Sequence, residues 1–390
     1  MGGWADAARV IYLDANATTP VLPEVFEAML PWLRDHFANP SGSYGESKLA
    51  RRAIERAREQ VACLIGAEPE EIVFTSGGTE SVNAALRSLD GLAGAGAAVI
   101  SAIEHSAVLR TVDEFSRGAV RVPVDAGGRL ELDALGRALE GGGFLSLMAA
   151  NNETGVIQPL CEAAAMARER GMAVHSDAVQ AAGKIPLDVR TLGVDLLSLS
   201  AHKFHGPKGV GALYVRRGLR FKAWLHGGGQ ESGRRSGTEN TAGIVGMGAA
   251  AVAAMLGAVE TGSLRDAFEA RVLAGLSGVT VNGDLAHRLP NTSHLSFEGC
   301  DAAGLLILLD EAGIACSAGS ACMTGKQRPS HVQLAMGIPE ARAKSSLRCS
   351  FSKMSTLAEA QAAADGVVRA VEKLRRVQGV GVGPVVVYSP

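Results

Sequence analysis

The chain has 390 residues, 47% of them hydrophobic and 20% charged, and its 38 basic residues stand against 40 acidic ones for a formal charge of -2. That length and composition allow a large core shared between two lobes. The near-neutral balance excludes a surface built as a whole for nucleic acid or for an anionic membrane. The first residues, Met1 to Asp6, contain neither a basic segment nor an apolar run, so no secretory leader is expected and the expected compartment is the cytoplasm. Six cysteines (63, 161, 300, 316, 322 and 349) form no Cys-x-x-Cys pair and no zinc-like Cys/His spacing. No metal site is expected, and five of the six read as small buried hydrophobes.

In chain order, apolar residues from Leu49 to Ile65 recur at helical spacing with Arg and Glu opposite, which predicts an amphipathic helix over 48–65. Short apolar runs at 71–74, 98–101, 144–149, 173–175, 195–200 and 211–215 alternate with helical patterns, the signature of parallel strands with helical crossovers. The glycine-rich stretches 91–96 and 141–143 read as loops. Residues 241–259 carry no charge but are mostly Ala and Gly, which predicts a buried helix packed through small residues rather than a membrane span. Past residue 260 the pattern becomes helix, strand (292–297), helix (302–312). The expected architecture is α/β: a large domain, 17–259, with a mostly parallel central sheet, and a smaller α+β domain formed by 1–16 and 260–390.

Three strand ends carry chemistry. After 71–74 comes Thr75-Ser76-Gly77-Gly78-Thr79-Glu80-Ser81 and then a helix, an order that places free backbone N–H groups at the positive end of a helix dipole. Taken alone it is also an ordinary tight turn with a capped helix, and it lacks the endings of a nucleotide P-loop or a dinucleotide fingerprint. The strand at 173–175 runs into Asp177, with Gln180 beyond it, and an acid there is also a common helix cap. The strand 195–200 ends in Ser200-Ala201-His202-Lys203. Together, an anion cup, a carboxylate and an amine at strand ends are what pyridoxal phosphate requires for its phosphate, its ring nitrogen and its aldehyde. Burial near cations would lower the Lys203 pKa from its ordinary ~10.4.

These segments, with Tyr12 to Pro20, Glu104-His105, Asn151-Asn152-Glu153-Thr154-Gly155 and Arg235-Ser236-Gly237-Thr238, resemble in order the fold-type I pyridoxal-phosphate enzymes of the class V aminotransferase group, and among them the NifS/IscS-type cysteine desulfurases. The resemblance implies that Gly78, Thr79, Ser200 and His202 hold the phosphate and that Thr238 reaches it from the partner subunit of a homodimer. It implies Asp177 as pyridinium partner, Gln180 and Asn152 at the ring oxygen or substrate, His105 stacked as an acid/base, and Arg348 on the substrate carboxylate. Cys316-Ser317-Ala318-Gly319-Ser320-Ala321-Cys322 resembles the sulfur-handling loop, here about 314–328, with Cys322 as the nucleophile. The implied reaction removes sulfur from L-cysteine, leaves L-alanine and a persulfide on Cys322, and passes the sulfur to an acceptor such as an iron-sulfur scaffold. A selenocysteine lyase or an aminotransferase would share the scaffold, but an aminotransferase has no need of the cysteine loop. No membrane and no direct nucleic-acid partner is expected.

Overall fold

The computed structural model describes residues 10–256, 260–318 and 329–378. Its largest element is a seven-stranded sheet built from β1 (Ile72–Thr75), β2 (Ala97–Ser101), β3 (Ala119–Val122), β4 (Gly142–Ser146), β5 (Ala173–Asp177), β6 (Leu196–Ser200) and β7 (Gly211–Val215). The spatial order is β1-β7-β6-β5-β4-β2-β3, and β7 alone runs antiparallel to its two neighbours. Both faces of the sheet are covered, which is why the strands read as near-continuous apolar runs. Ile72, Phe74, Val99, Leu145, Val174, Leu197 and Tyr214 fall on one face and Val73, Ala98, Ile100, Phe144, Leu196 and Leu213 on the other.

On the first face lie helices α1 (Gly45–Leu64) and α3 (Thr241–Leu256), and on the second α2 (Gly78–Leu92). The small residues of α3 are a contact surface: a Cβ on Gly248 would meet Ala57 Cα of α1 at 2.8 Å. Among the described residues no single helix is long and apolar enough to cross a membrane.

A second, antiparallel sheet follows, from β8 (Val279–Val281), β9 (Thr292–Phe297), β10 (Ser317–Ala318) and β11 (Ser346–Ser350), in the order β10-β11-β9-β8. Helices α4 (Thr261–Gly275), α5 (Ala302–Glu311) and α6 (Leu357–Gln378) pack around it on a separate apolar cluster. The N-terminal segment belongs with this sheet at first: Ile11–Tyr12 pairs in parallel with Ile314–Ala315, and Asp14 bridges Ser350. It then turns toward the large sheet.

Three expectations need correction. Gly142 and Gly143 are in β4, not a loop, because β2 and β4 approach too closely for side chains: a Cβ on Gly142 would meet Val99 Cγ2 at 2.8 Å, and one on Gly143 would meet Gly96 O at 2.8 Å. Edge strand β3 escaped notice because it pairs on one side only and two of its four residues are exposed, which removes the apolar run. The cysteines are less buried than expected. Cys63 and Cys161 are exposed on helix surfaces, Cys300 and Cys316 are half-buried, and Cys349 is buried.

Candidate active site

Beyond the carboxyl ends of β1, β5 and β6 lies a cleft of about 390 Å³ lined by Gly78, Thr79, His105, Asn152, Asp177, Gln180, Ser200, His202, Lys203 and Arg348. Ligands collect at such strand ends because the loops there leave a crevice that the helices do not fill. Eleven of the twelve site residues expected from sequence are described: these ten line the cleft and Thr238 does not.

The floor begins at the turn between β1 and α2. Helix α2 starts at Gly78, and its N-cap, Gly77, supplies no side-chain cap. First-turn N–H groups therefore open on the cleft, at a dipole's positive end. The turn is held from behind: Thr75 and Ser81 hydroxyls are 2.7 Å apart, and the Glu80 carboxylate accepts the Ser76 N–H at 2.8 Å. Gly78 has no room for a side chain, since a Cβ would meet Val179 Cγ2 at 2.7 Å and Ser200 Cβ at 3.5 Å. Ser200 and His202 face this cup from the end of β6. His202 Nδ1 lies 3.1 Å from the Thr18 hydroxyl, and burial with Lys203 nearby pushes its pKa down to about 4, so it is a neutral imidazole.

Asp177 ends β5, is buried, and accepts the Val179 N–H at 3.0 Å. Burial raises its pKa, with His105 and Lys203 pulling the other way. A buried carboxylate of this kind is stabilised by a cation set against it. His105 caps the helix Ser106–Asp113, its Nδ1 accepting the Ala107 N–H at 3.1 Å. That bond places the proton of the neutral ring on Nε2. Behind it Glu104 is fully buried; burial, followed by the nearness of Asp177, raises its pKa well above the carboxylate range despite the Met148 N–H bond at 2.8 Å.

Lys203 closes the one-turn helix after β6, and its Nζ donates to Asn16 O and Ala17 O, both at 2.7 Å. Burial and then Arg348 lower its pKa to about 8. Arg348 comes from β11 of the second sheet. Its Nη2 donates to Asp14 at 2.6 Å and its Nη1 to Asn152 O at 3.0 Å, while its buried Nε has no hydrogen-bond partner. A guanidinium held on two sides with N–H donors to spare is suited to a carboxylate arriving from the cleft.

Cys322 lies outside the described residues, but both roots of its segment are defined. The first is β10, whose Ser317 pairs with Arg348, and the neighbouring Cys316 thiol approaches Cys349, whose pKa is driven well up by that contact and by burial. The second is Ser330, which donates to Glu153 at 2.5 Å. Burial raises the Glu153 pKa to about 7. The roots thus stand beside Arg348 and beside the neighbour of Asn152. Thr238 is exposed, in a loop tied to the cup by Arg235 donating to Glu80 at 2.8 Å.

Sequence reasoning assigned no role to Asn16, which is buried at the centre of the site. Its carbonyl accepts from Lys203 and Gln180, its Oδ1 from Lys184 and Asn291, and its Nδ2 donates to Thr292 and to Asn152 O. Asp14 and Lys184 were missed as well. For Asn16 and Asp14 the only signal was the segment from Tyr12 to Pro20, noted for resemblance and not for chemistry, and Lys184 carried none. His175, in the same motif as Asp177, sits between Ser146 and Ser198 at 2.8 and 2.9 Å and is a core histidine.

A match to the family described as aminotransferase class-V spans residues 11–362. A protein of Sinorhizobium fredii (strain NBRC 101917 / NGR234) named cysteine desulfurase is 47% identical over 386 residues, covering 96% of this chain and all of the relative. Among solved structures, one titled NIFS-like protein superposes with a TM-score of 0.85 at 36% identity, covering 96% of this chain and 100% of the other. Another, titled SspA in complex with cysteine, gives a TM-score of 0.79 at 35% identity over 88% of this chain and 99% of the other.

Proposed function

The chain belongs to the class-V aminotransferase family, and from that premise we propose that it is a pyridoxal-phosphate-dependent cysteine desulfurase. The observation that carries the reading is one cleft in which an uncapped helix start, a buried aspartate and a half-buried lysine converge. The cleft suits the cofactor on its own terms. Gly78 leaves space where a Cβ would collide, the first-turn N–H groups await an anion, and Asp177 awaits a cation. Gly78, Thr79, Ser200 and His202 would hold the phosphate, Asp177 the ring nitrogen, Gln180 and Asn152 the ring oxygen or substrate, and His105 the ring face. Thr238, exposed and away from its own cleft, would reach the phosphate of a second copy in a homodimer.

When bound, pyridoxal phosphate supplies an aldehyde for amine exchange and a ring that withdraws electrons from Cα. Lys203, at a pKa of about 8, is partly neutral near physiological pH and can take up the Cα proton. Arg348 would bind the substrate carboxylate through N–H groups that Asp14 and Asn152 leave free, and those two contacts fix the plane of the guanidinium. His105, with its proton on Nε2, can donate to the substrate sulfur. The Cys322 thiolate attacks that sulfur. One S–S bond forms and one C–S bond breaks, so L-cysteine and a thiol become L-alanine and a Cys322 persulfide. The persulfide passes to an acceptor protein such as an iron-sulfur scaffold. C322S tests the assignment: it should take up the cofactor and turn yellow, yet release no alanine from cysteine under reductant, and turnover at the parent rate would reject it.

A further inference from the structure

Lys184 has no part in the chemistry above, yet it is the second amine of the site. Its Nζ donates to Gln180 Oε1 at 2.7 Å and to Asn16 Oδ1 at 2.8 Å. Burial lowers its pKa well below the usual lysine value, and the charges that add to this are two more cations, Lys203 and Arg348. A folded protein that buries an amine against like charges gives up stability for it. The two oxygens it touches indicate the use.

Side-chain amides are nearly symmetric in shape, and their orientation follows from the hydrogen bonds around them. The Lys184 amine keeps at least two N–H bonds whether charged or neutral, enough for both oxygens. With Oε1 turned to Lys184, the Gln180 Nε2 turns the other way and donates to Asn16 O at 2.9 Å, the same carbonyl that accepts from Lys203. One N–H of that amide remains for the cleft, which Gln180 lines. On Asn16 the same logic turns Nδ2 toward Thr292 and Asn152 O, steadying the carbonyl that Arg348 also binds.

We propose that Lys184 is a positioning residue that fixes the Gln180 amide with its N–H directed into the cleft, so that the site offers a donor, and not an acceptor, to an oxygen anion of the ligand. This rests on the reading of the cleft as a pyridoxal-phosphate site, where that oxygen is the ring hydroxyl. A donor there stabilises the deprotonated oxygen, so removing it raises the pH at which the bound cofactor's visible band changes. A flipped amide would present its carbonyl and raise it further.

The experiment titrates the visible absorbance of the loaded protein against pH in the parent, K184M, Q180L and the double variant. The expected result is a midpoint raised by about 1 pH unit in K184M, a similar rise in Q180L, and no further rise in the double variant, because Lys184 acts through Gln180. Additive shifts, or an unmoved band in a K184M protein that is merely less heat-stable, overturn the proposal. Q180E keeps an acceptor for Lys184 while losing the donor. It should raise the midpoint further than Q180L, since it sets an acceptor against the oxygen anion, and it decides the matter where K184M fails to fold, an unmoved band again overturning the proposal. A parent protein that never takes up the cofactor defeats the functional reading instead, so the two failures are distinguishable.

Discussion

The two sheets contribute to the cleft in different ways. From the large sheet, Thr79, Asp177, Ser200 and Lys203 project at or just past the ends of β1, β5 and β6, each placed by the strand that carries it. From the second sheet Arg348 reaches across and is held by groups far away in sequence, Asp14 and the Asn152 carbonyl. Strand ends buried on both faces are fixed at little further cost, whereas a long cationic side chain must be steadied by partners that a ligand can replace. The difference suits a permanent cofactor seat on one side and a substrate grip on the other.

The largest expected effect breaks the seat. K203A should lower turnover of cysteine by about 10³-fold or more, since nucleophile and proton acceptor are lost together, and alanine release measured with saturating cofactor checks it. Next comes the grip. R348K keeps a charge but loses the planar fork, and kcat/KM should fall about 10- to 100-fold, mainly through KM. If R348K instead weakened cofactor uptake and left KM alone, the division between seat and grip would be wrong.

A smaller effect sharpens the comparison. Asp14 occupies one edge of Arg348 at 2.6 Å and is itself partly exposed, so it competes with an incoming carboxylate. D14N should lower the KM for cysteine about two- to fivefold. It should also lower the titration of Lys203 below about 8, because the Asp14 charge raises that pKa. Steady-state kinetics from pH 6.5 to 9 read both. A KM that rises would mean that the ion pair orients the guanidinium more than it blocks it.

How much of this was legible in the sequence follows the same division. The strand ends were readable because buried parallel strands are apolar runs and the chemistry sits within three residues of where each run stops: Asp177 closes its strand and Lys203 lies three residues past Ser200. Asn16, Asp14 and Lys184 were not readable, because their roles exist only through contacts such as Asn16 with Lys203, 187 positions away, and Asp14 with Arg348, 334 positions away. Composition and periodicity carry no information at that range. Resemblance did supply Arg348, His105 and Cys322, but it says nothing of why the guanidinium keeps donors to spare. The exposed Cys63 and Cys161 were misread for a related reason: a helix face shows its buried side only once its neighbours are placed.

A last effect, on stability and not on turnover, separates the sheets by pH. His175 in β5 and His294 in β9 are both fully buried, and burial lowers each pKa from 6.5 to about 3, with Arg348 adding to the shift of His294. Between those two values the unfolded chain binds a proton at each site that the folded chain does not. The stability they contribute is therefore complete above pH 6.5 and is lost as pH falls toward 3, at up to about 1.4 kcal/mol per pH unit for each histidine. H175Q should flatten this slope for the large sheet and H294Q for the second. Backbone hydrogen exchange resolves them, since amides of β5 and β9 report their own opening free energies between pH 4.5 and 6.5. If the sheets open independently, each substitution changes only its own set. If H294Q also flattens the slope for β5, the second sheet opens together with the first, and the grip of Arg348 is then as permanent a part of the fold as the seat it faces.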